Sequence, residues 1–220
     1  PSGDHALWIT PQIEYMEIIP SIISTSYQGK GPEVSSGTEK KLLDKIKRLP
    51  QQGLPLENTS FDWLLQPSRS KAGIYATPDG KSILLSNGMV ARMFRVLPNL
   101  STLDIFNRMT GESMLRAVSS EGSLTIDGKR WELGGLAGQP ERGYFQMEWV
   151  EQMTTRSGSF LIEDFRIEEL QEDIKWARSR WALNKNVPTG KRLTFVLKGE
   201  KETEGVTVEL HYDLYDHIPV

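Results

Sequence analysis

The sequence predicts a mainly β protein, an antiparallel β-sandwich preceded by a short helical N-terminal region. Three observations predict it. Two tight-turn dipeptides, Asn87-Gly88 and Asp127-Gly128, each stand between apolar arms. Near the end, Val206, Val208, Leu210, Tyr212 and Leu214 alternate with Thr207, Glu209, His211, Asp213 and Tyr215, the period of a half-buried strand. From about residue 72 onward, short strand patterns follow one another with turns between them and no alternating helices, which is the pattern of a sandwich.

Taken in order, the chain opens with an apolar stretch from Tyr15 to Ile23, broken by Pro20, and a linker-like run from Ser24 to Pro32. Ser36 and Glu39, three apart, then offer a capping box. Leu42, Leu43, Ile46 and Leu49 follow at helical spacing and Pro50 stops the pattern, which predicts an amphipathic helix over 37–49. Its polar face carries Lys40, Lys41, Lys45, Lys47 and Arg48, read as a solvated face in preference to a contact with an anionic surface. The expected organisation is an N-terminal extension over 1–56 and a sandwich domain over 57–220.

Within the sandwich, residues 83–90 form the first hairpin around Asn87-Gly88. The second has a self-consistent register if Asp127-Gly128 is a two-residue turn. Ile126 then faces Lys129, Leu124 faces Trp131, and Thr125 shares the polar face with Arg130. Gly134, Gly135, Gly138, Pro140 and Gly143 interrupt the strand rhythm and predict a long loop reaching Gly158, with a short helical turn over 148–153. Leu193, Phe195 and Leu197 mark the strand before the last one.

Composition excludes more than it selects. With 220 residues, 26 basic against 29 acidic and 38% hydrophobic, the chain has the make-up of a globular protein with a sizeable core. It has no cysteine, which excludes disulfides, thiol chemistry and thiolate-bound metals. Lys and Arg are spread along a chain of net charge −3, so a dedicated nucleic-acid surface is not expected. No apolar run approaches the ~18–20 residues of a membrane helix, and no secretion signal opens the chain. The expected compartment is secreted or periplasmic in preference to cytoplasmic.

Chemistry-bearing motifs are scarce. Gly80-Lys81-Ser82 resembles the end of a phosphate loop, but Tyr75 stands where the first glycine belongs, and a strand follows instead of a helix. His211 and His217 have no metal-ligand spacing. His211 with Glu209 or Asp213 is the one conceivable acid–base group, since residues two apart on a strand share a face. Asn58-Thr59-Ser60 and Asn99-Leu100-Ser101 fit glycosylation acceptors. Of six tryptophans, Trp131 reads as core. Trp149, Trp176 and Trp181 lie in connecting segments, where an indole can stack on the C–H face of a sugar. These three are the candidate carbohydrate-binding residues.

Several blocks, in order, resemble a known family. Residues 83–94 (Ile-Leu-Leu-Ser-Asn-Gly-Met-Val-Ala-Arg-Met-Phe) with Pro98-Asn99, then Asn107 to Glu112 and Arg116, are similar to the opening of the N-terminal domain of α-galactosidase-like glycoside hydrolases, family 36 and its relatives. Trp131 to Gly138, Glu148-Trp149-Val150, Arg180-Trp181 and Val206 to Asp216 extend the resemblance over residues 57–220. It implies a galactose-mutarotase-like supersandwich standing before a catalytic (β/α)₈ barrel that carries the nucleophile and the acid/base. The partners expected are therefore that barrel and, through the parent enzyme, a galactoside-like carbohydrate. No catalytic residue, metal ligand or cofactor is assigned to this chain. The strand ending near Tyr215 reads as the last part of a truncated sandwich, whose open edge invites homo-oligomerisation. The other functions weighed are a self-standing carbohydrate-binding domain and a mutarotase-like sugar epimerase.

Overall fold

The computed structural model describes residues 32–54, 56, 65, 71–170 and 189–218. The helix α1 spans Ser36–Lys47. Its N-cap is Ser35, one residue before the expected box, and the Ser35 hydroxyl accepts the Thr38 backbone N–H at 3.3 Å. Leu42 and Ile46 are fully buried, and their seat in the core sets the helix register between two adjacent serines.

The strands are β1 (Gly73–Ala76), β2 (Ser82–Ser86), β3 (Val90–Arg95), β4 (Ser101–Asn107), β5 (Glu112–Ser113), β6 (Gly122–Ile126), β7 (Lys129–Leu133), β8 (Leu136–Ala137), β9 (Thr154–Thr155), β10 (Ser159–Glu169), β11 (Gly190–Lys198) and β12 (Thr207–Tyr215). They form one five-stranded sheet in the order β1-β2-β3-β4-β5, a second in the order β12-β11-β10-β7-β6, and a two-stranded ribbon of β8 and β9. The fold is thus mainly β, with two packed sheets, as the turn and alternation patterns predict. Pairing is antiparallel, except that β10 runs parallel to β7 at Ser159 opposite Glu132 and Phe160 opposite Leu133.

The second hairpin has the predicted register, with Ile126 opposite Lys129, Thr125 opposite Arg130 and Leu124 opposite Trp131. Asp127 and Gly128 both have positive φ, +51° and +76°, as a type I′ turn requires. The first hairpin differs by one residue. Ser86 pairs with Ala91, and the Asn87 N–H donates to the Val90 carbonyl at 3.3 Å, so Gly88 and Met89 form the turn. Asn87 is fully buried. Its side-chain oxygen accepts from Met89 and Val90 N–H, and its amide donates to the carbonyls of Tyr215 and Ile218.

Two cores result. Ile83, Leu85 and Phe94 of the first sheet meet Ile162, Phe165, Leu193, Phe195 and Leu197 of the second, with Leu42 and Ile46 of α1 in the same cluster. Phe94 and Phe195 rings lie 5.1 Å apart, tilted by 58°. On the opposite face of the first sheet, Leu84, Ala91, Met93 and Leu103 pack under Val118, Leu136, Val150 and Met153. Every residue of β2 is consequently buried. The long segment after Gly134 is therefore a third layer, holding the β8–β9 ribbon and a 3₁₀ turn over Met147–Gln152. The Gly-Gly at its start is required by close approach. A Cβ on Gly134, at φ +64°, would stand 2.3 Å from the Leu100 carbonyl oxygen.

The helix is built into the sandwich through its basic face as well. Lys45 donates to Asp164 at 2.6 Å and to the Phe165 carbonyl, and Lys41 reaches the other Asp164 oxygen at 3.0 Å. Lys40, Lys41, Lys47 and Arg48 are exposed, Lys41 with its ion pair to Asp164, so the expected solvated face holds for these four and not for the half-buried Lys45.

Candidate functional site

The third layer presents an ordered aromatic loop. Its organiser is Gln139, whose oxygen accepts the Val118 N–H at 2.8 Å while its amide donates to the carbonyls of Arg116, Glu141 and Tyr144. Glu141 closes the bend by accepting the N–H groups of Arg142 and Gly143 at 2.8 and 2.9 Å. Those two backbone donors, Gly143 foremost, hold its carboxyl below the usual range. The loop thereby displays Tyr144, 50% exposed, against the half-buried Trp149, with ring centres 5.3 Å apart and planes tilted by 50°. Of the three candidate tryptophans, Trp149 is placed here, and Trp176 and Trp181 lie outside the described residues. Tyr144 was not among the candidates, although it is an aromatic in the same Gly/Pro-rich segment. Trp131 packs at the margin of the main core with the Lys129 ammonium 4.3 Å from its ring centre.

Beside the 3₁₀ turn, a pocket of about 320 Å³ lies between residues of that turn and the start of α1. Arg95 lines its floor, 3% exposed, and bridges Asp79 and Glu151 at 2.7 Å each; Lys81 also reaches Glu151 at 2.7 Å. Burial opposes the charge on Asp79. The hydroxyls of Thr77 and Ser82, the Lys81 N–H and the Arg95 guanidinium together outweigh it and leave that carboxyl below its usual range. Lys81 and then Arg95 depress Glu151 likewise. Asp164 is depressed by Lys45 and Lys41 against its own burial.

These shifts set an acid response. A carboxyl whose folded pKa lies below its unfolded value stabilises the fold fully above the unfolded value, about 4, and loses that contribution as pH falls through the folded one. Asp104, raised by burial, acts in the opposite sense. The expected result is a melting temperature that declines steeply below about pH 4, and a shallower decline in an Asp79→Asn, Asp164→Asn double variant. Equal slopes in the two proteins would refute this assignment.

The conceivable acid–base group lies on the outer face of the second sheet, remote in the fold from both features. His211 Nδ1 is 2.8 Å from the Thr194 hydroxyl, and its Nε2 is 3.8 Å from Glu209. Both acids are committed elsewhere: Asp213 takes a two-point contact from Arg192 at 2.7 and 2.6 Å, and Glu209 takes Arg166 at 2.7 Å. The geometry is that of an ion-pair lattice across neighbouring strands. Among the described residues, no three His, Asp or Glu side chains group to hold a metal ion. Nor, among them, is any helix long and apolar enough to cross a membrane. Gly80-Lys81-Ser82 turns into β2 as expected, without a following helix.

Comparison with family models, with curated proteins and with solved structures gives no match.

Proposed function

We propose that this chain is a non-catalytic β-sandwich module that recognises carbohydrate through its Tyr144–Trp149 loop, serving an α-galactosidase-like hydrolase whose catalytic barrel is a separate domain. The observation that carries the reading is the aromatic pair held in place by Gln139 and Glu141. Flat aromatic faces take the C–H faces of a sugar, and the Trp149 indole N–H adds a donor for a hydroxyl. A loop already ordered by side-chain hydrogen bonds loses little conformational freedom on binding. Glu151, which lines the neighbouring pocket, and Asp79, which shares Arg95 with it, are depressed and salt-bridged, which suits structural anions and not a general acid poised near neutral pH.

Calorimetry with galactosides and glucosides tests the reading. The full chain is expected to bind at least one of them, and Trp149→Ala is expected to weaken that binding by about tenfold, the scale of one lost stacking contact. Tyr144→Ala should act in the same direction. No heat with any sugar, or unchanged affinity in a folded Trp149→Ala variant, would overturn it.

A further inference from the structure

The second sheet ends on β12, and no strand follows on its far side among the described residues. Its pairing with β11 runs without a bulge from Gly190 opposite Tyr215 to Lys198 opposite Thr207. Just beyond the two ends, the Asp216 N–H donates to the Thr189 carbonyl at 2.8 Å and the Gly199 N–H to the Val206 carbonyl at 2.9 Å. Hydrogen-bonded pairs alternate along an antiparallel ladder, so the even-numbered residues of β12 direct their backbone groups to β11. The odd-numbered ones direct theirs to the free edge. There the Asn87 amide takes the Tyr215 carbonyl at 2.8 Å. The N–H and carbonyl groups of Thr207, Glu209, His211 and Asp213 have no partner among the described residues.

The other sheet edges are bridged or short. Ala76 of β1 donates to the Pro50 carbonyl and accepts from the Gln52 N–H. Strand β5 is two residues long, and β6, behind its type I′ turn, directs only Ser123 and Thr125 outward. Nothing blunts β12 in the usual way, since Thr207–Tyr215 holds no lysine, no proline and no bulge. On its inner face, Val208 and Leu210 are only half-buried against the main core.

We propose that this edge pairs with the same edge of a second copy of the chain, antiparallel, about a two-fold axis at Leu210. The sequence of the strand selects that register. Only there do all the open residues face open residues, Thr207 opposite Asp213 of the second copy and Glu209 opposite His211 of the second copy. A shift by two residues one way sets Glu209 against Asp213 and Thr207 against the occupied Tyr215. The same shift the other way sets Glu209 against its own copy and leaves Asp213 unpaired. Acids directly opposite one another destabilise either alternative. In the favoured register the apolar residues also meet, Leu210 with its copy and Val208 with Tyr212, at the closely spaced positions that exchange no hydrogen bonds. Each chain keeps its Arg166–Glu209 and Arg192–Asp213 pairs. His211 Nε2, 3.8 Å from its own Glu209, gains a carboxylate across the axis. The contact is isologous and closes at two copies. Its area is that of a single strand, which places it among weak, concentration-dependent interfaces.

Sedimentation of the full chain tests this. The mass is expected to rise from 24.9 kDa towards twice that value and no further, between about 1 and 500 µM protein, the range of weak association. Amide exchange reads the register. The amides of Thr207, Glu209, His211 and Asp213 should exchange fast in dilute protein and slow down as the dimer fills, while those of Val208, Leu210 and Tyr212 are slow throughout. His211→Glu sets two acids opposite one another on both sides of the axis and should weaken the dimer about tenfold. His211→Lys should leave it at least as tight, whereas a purely structural role for the imidazole beside Thr194 would weaken both variants alike. His211 is exposed, and melting curves check that both variants fold. A monomer mass throughout, growth beyond the dimer, or equal weakening by Glu and Lys would each overturn the proposal. So would edge amides already slow in dilute protein, the result if this chain's own residues cover the edge. No sugar enters the assay, so its failure is distinct from failure of the carbohydrate reading.

Discussion

Replacing Glu121 by alanine is expected to destabilise the fold by about 2–4 kcal/mol, the cost of leaving several donors of one cluster without their shared acceptor. The Glu121 side chain is 2% exposed. It accepts from the Arg92 guanidinium at 2.8 Å, the Tyr212 hydroxyl at 2.6 Å, the Thr102 hydroxyl at 2.9 Å and the Thr102 backbone N–H. It thereby joins β3 and β4 of one sheet to β12 of the other. Arg92 is also held by faces, its guanidinium 4.5 Å from the Tyr212 ring centre and 5.0 Å from that of Phe94. Removing the carboxylate strands this cation between aromatic rings and leaves Thr102 N–H and Tyr212 O–H without their acceptor. Burial first, and the Glu121 charge second, raise Tyr212 well above the usual phenol range, so its hydroxyl is a donor at every working pH. Tyr212→Phe deletes a single bond of the cluster and is expected to cost about 1.5–3 kcal/mol, as for hydrogen bonds to charged groups. Urea unfolding of both variants reads the difference. A Glu121→Ala loss no greater than that of Tyr212→Phe would show that the cluster does not act as a unit.

What the sequence discloses here depends on how local each determinant is. Asp127-Gly128 needs two positive φ values, and only such residues supply them cheaply, so the register from Gly122 to Leu133 follows from four adjacent side chains. The Asn87-Gly88 turn is one residue away from its local reading because the Asn87 amide is claimed by carbonyls of Tyr215 and Ile218, far along the chain. In the same way, Ser35 and Ser36 are equivalent caps until Leu42 and Ile46 find the core. The parallel β7–β10 pairing leaves no periodic trace, and neither does the second core. Ile83-Leu84-Leu85 reads only as apolar, and the residues that cover Leu84 come from scattered connections. At the site, Trp149 is legible as an aromatic in a glycine-rich segment. Its pairing with Tyr144 depends on four hydrogen bonds made by Gln139, and the Asp79, Lys81, Arg95 and Glu151 set is assembled by topology alone. Lys45 looks solvated until Asp164 arrives from β10.

Asn99→Ala is expected to cost about 2–4 kcal/mol, because one side chain there replaces several rungs of a ladder. Asn99 is fully buried at the entry to β4. Its oxygen accepts the N–H groups of Leu100 and Ile162 at 2.9 and 3.0 Å, and its amide donates to the Phe160 carbonyl at 3.1 Å and the Ser159 hydroxyl at 3.2 Å. Those partners lie at the start of β10, so the amide stitches the first sheet to the second where no strand pairing does. Alanine orphans the Ile162 N–H inside the core, a desolvated donor left without its acceptor, and leaves the Phe160 carbonyl to the Gly134 N–H alone, at 3.2 Å. Asn99→Asp keeps the acceptors and loses the donor, and it places an anion where burial opposes ionisation. Its deficit should therefore shrink as pH falls and the carboxyl protonates. The same burial answers the sequon at Asn99-Leu100-Ser101: in the folded chain this amide is shielded and engaged, so folded protein from a glycosylating host should carry no glycan at Asn99 by mass spectrometry. A glycan on natively folded chain, or a loss below about 1 kcal/mol in Asn99→Ala, would mean that the two sheets are joined there by something other than this side chain.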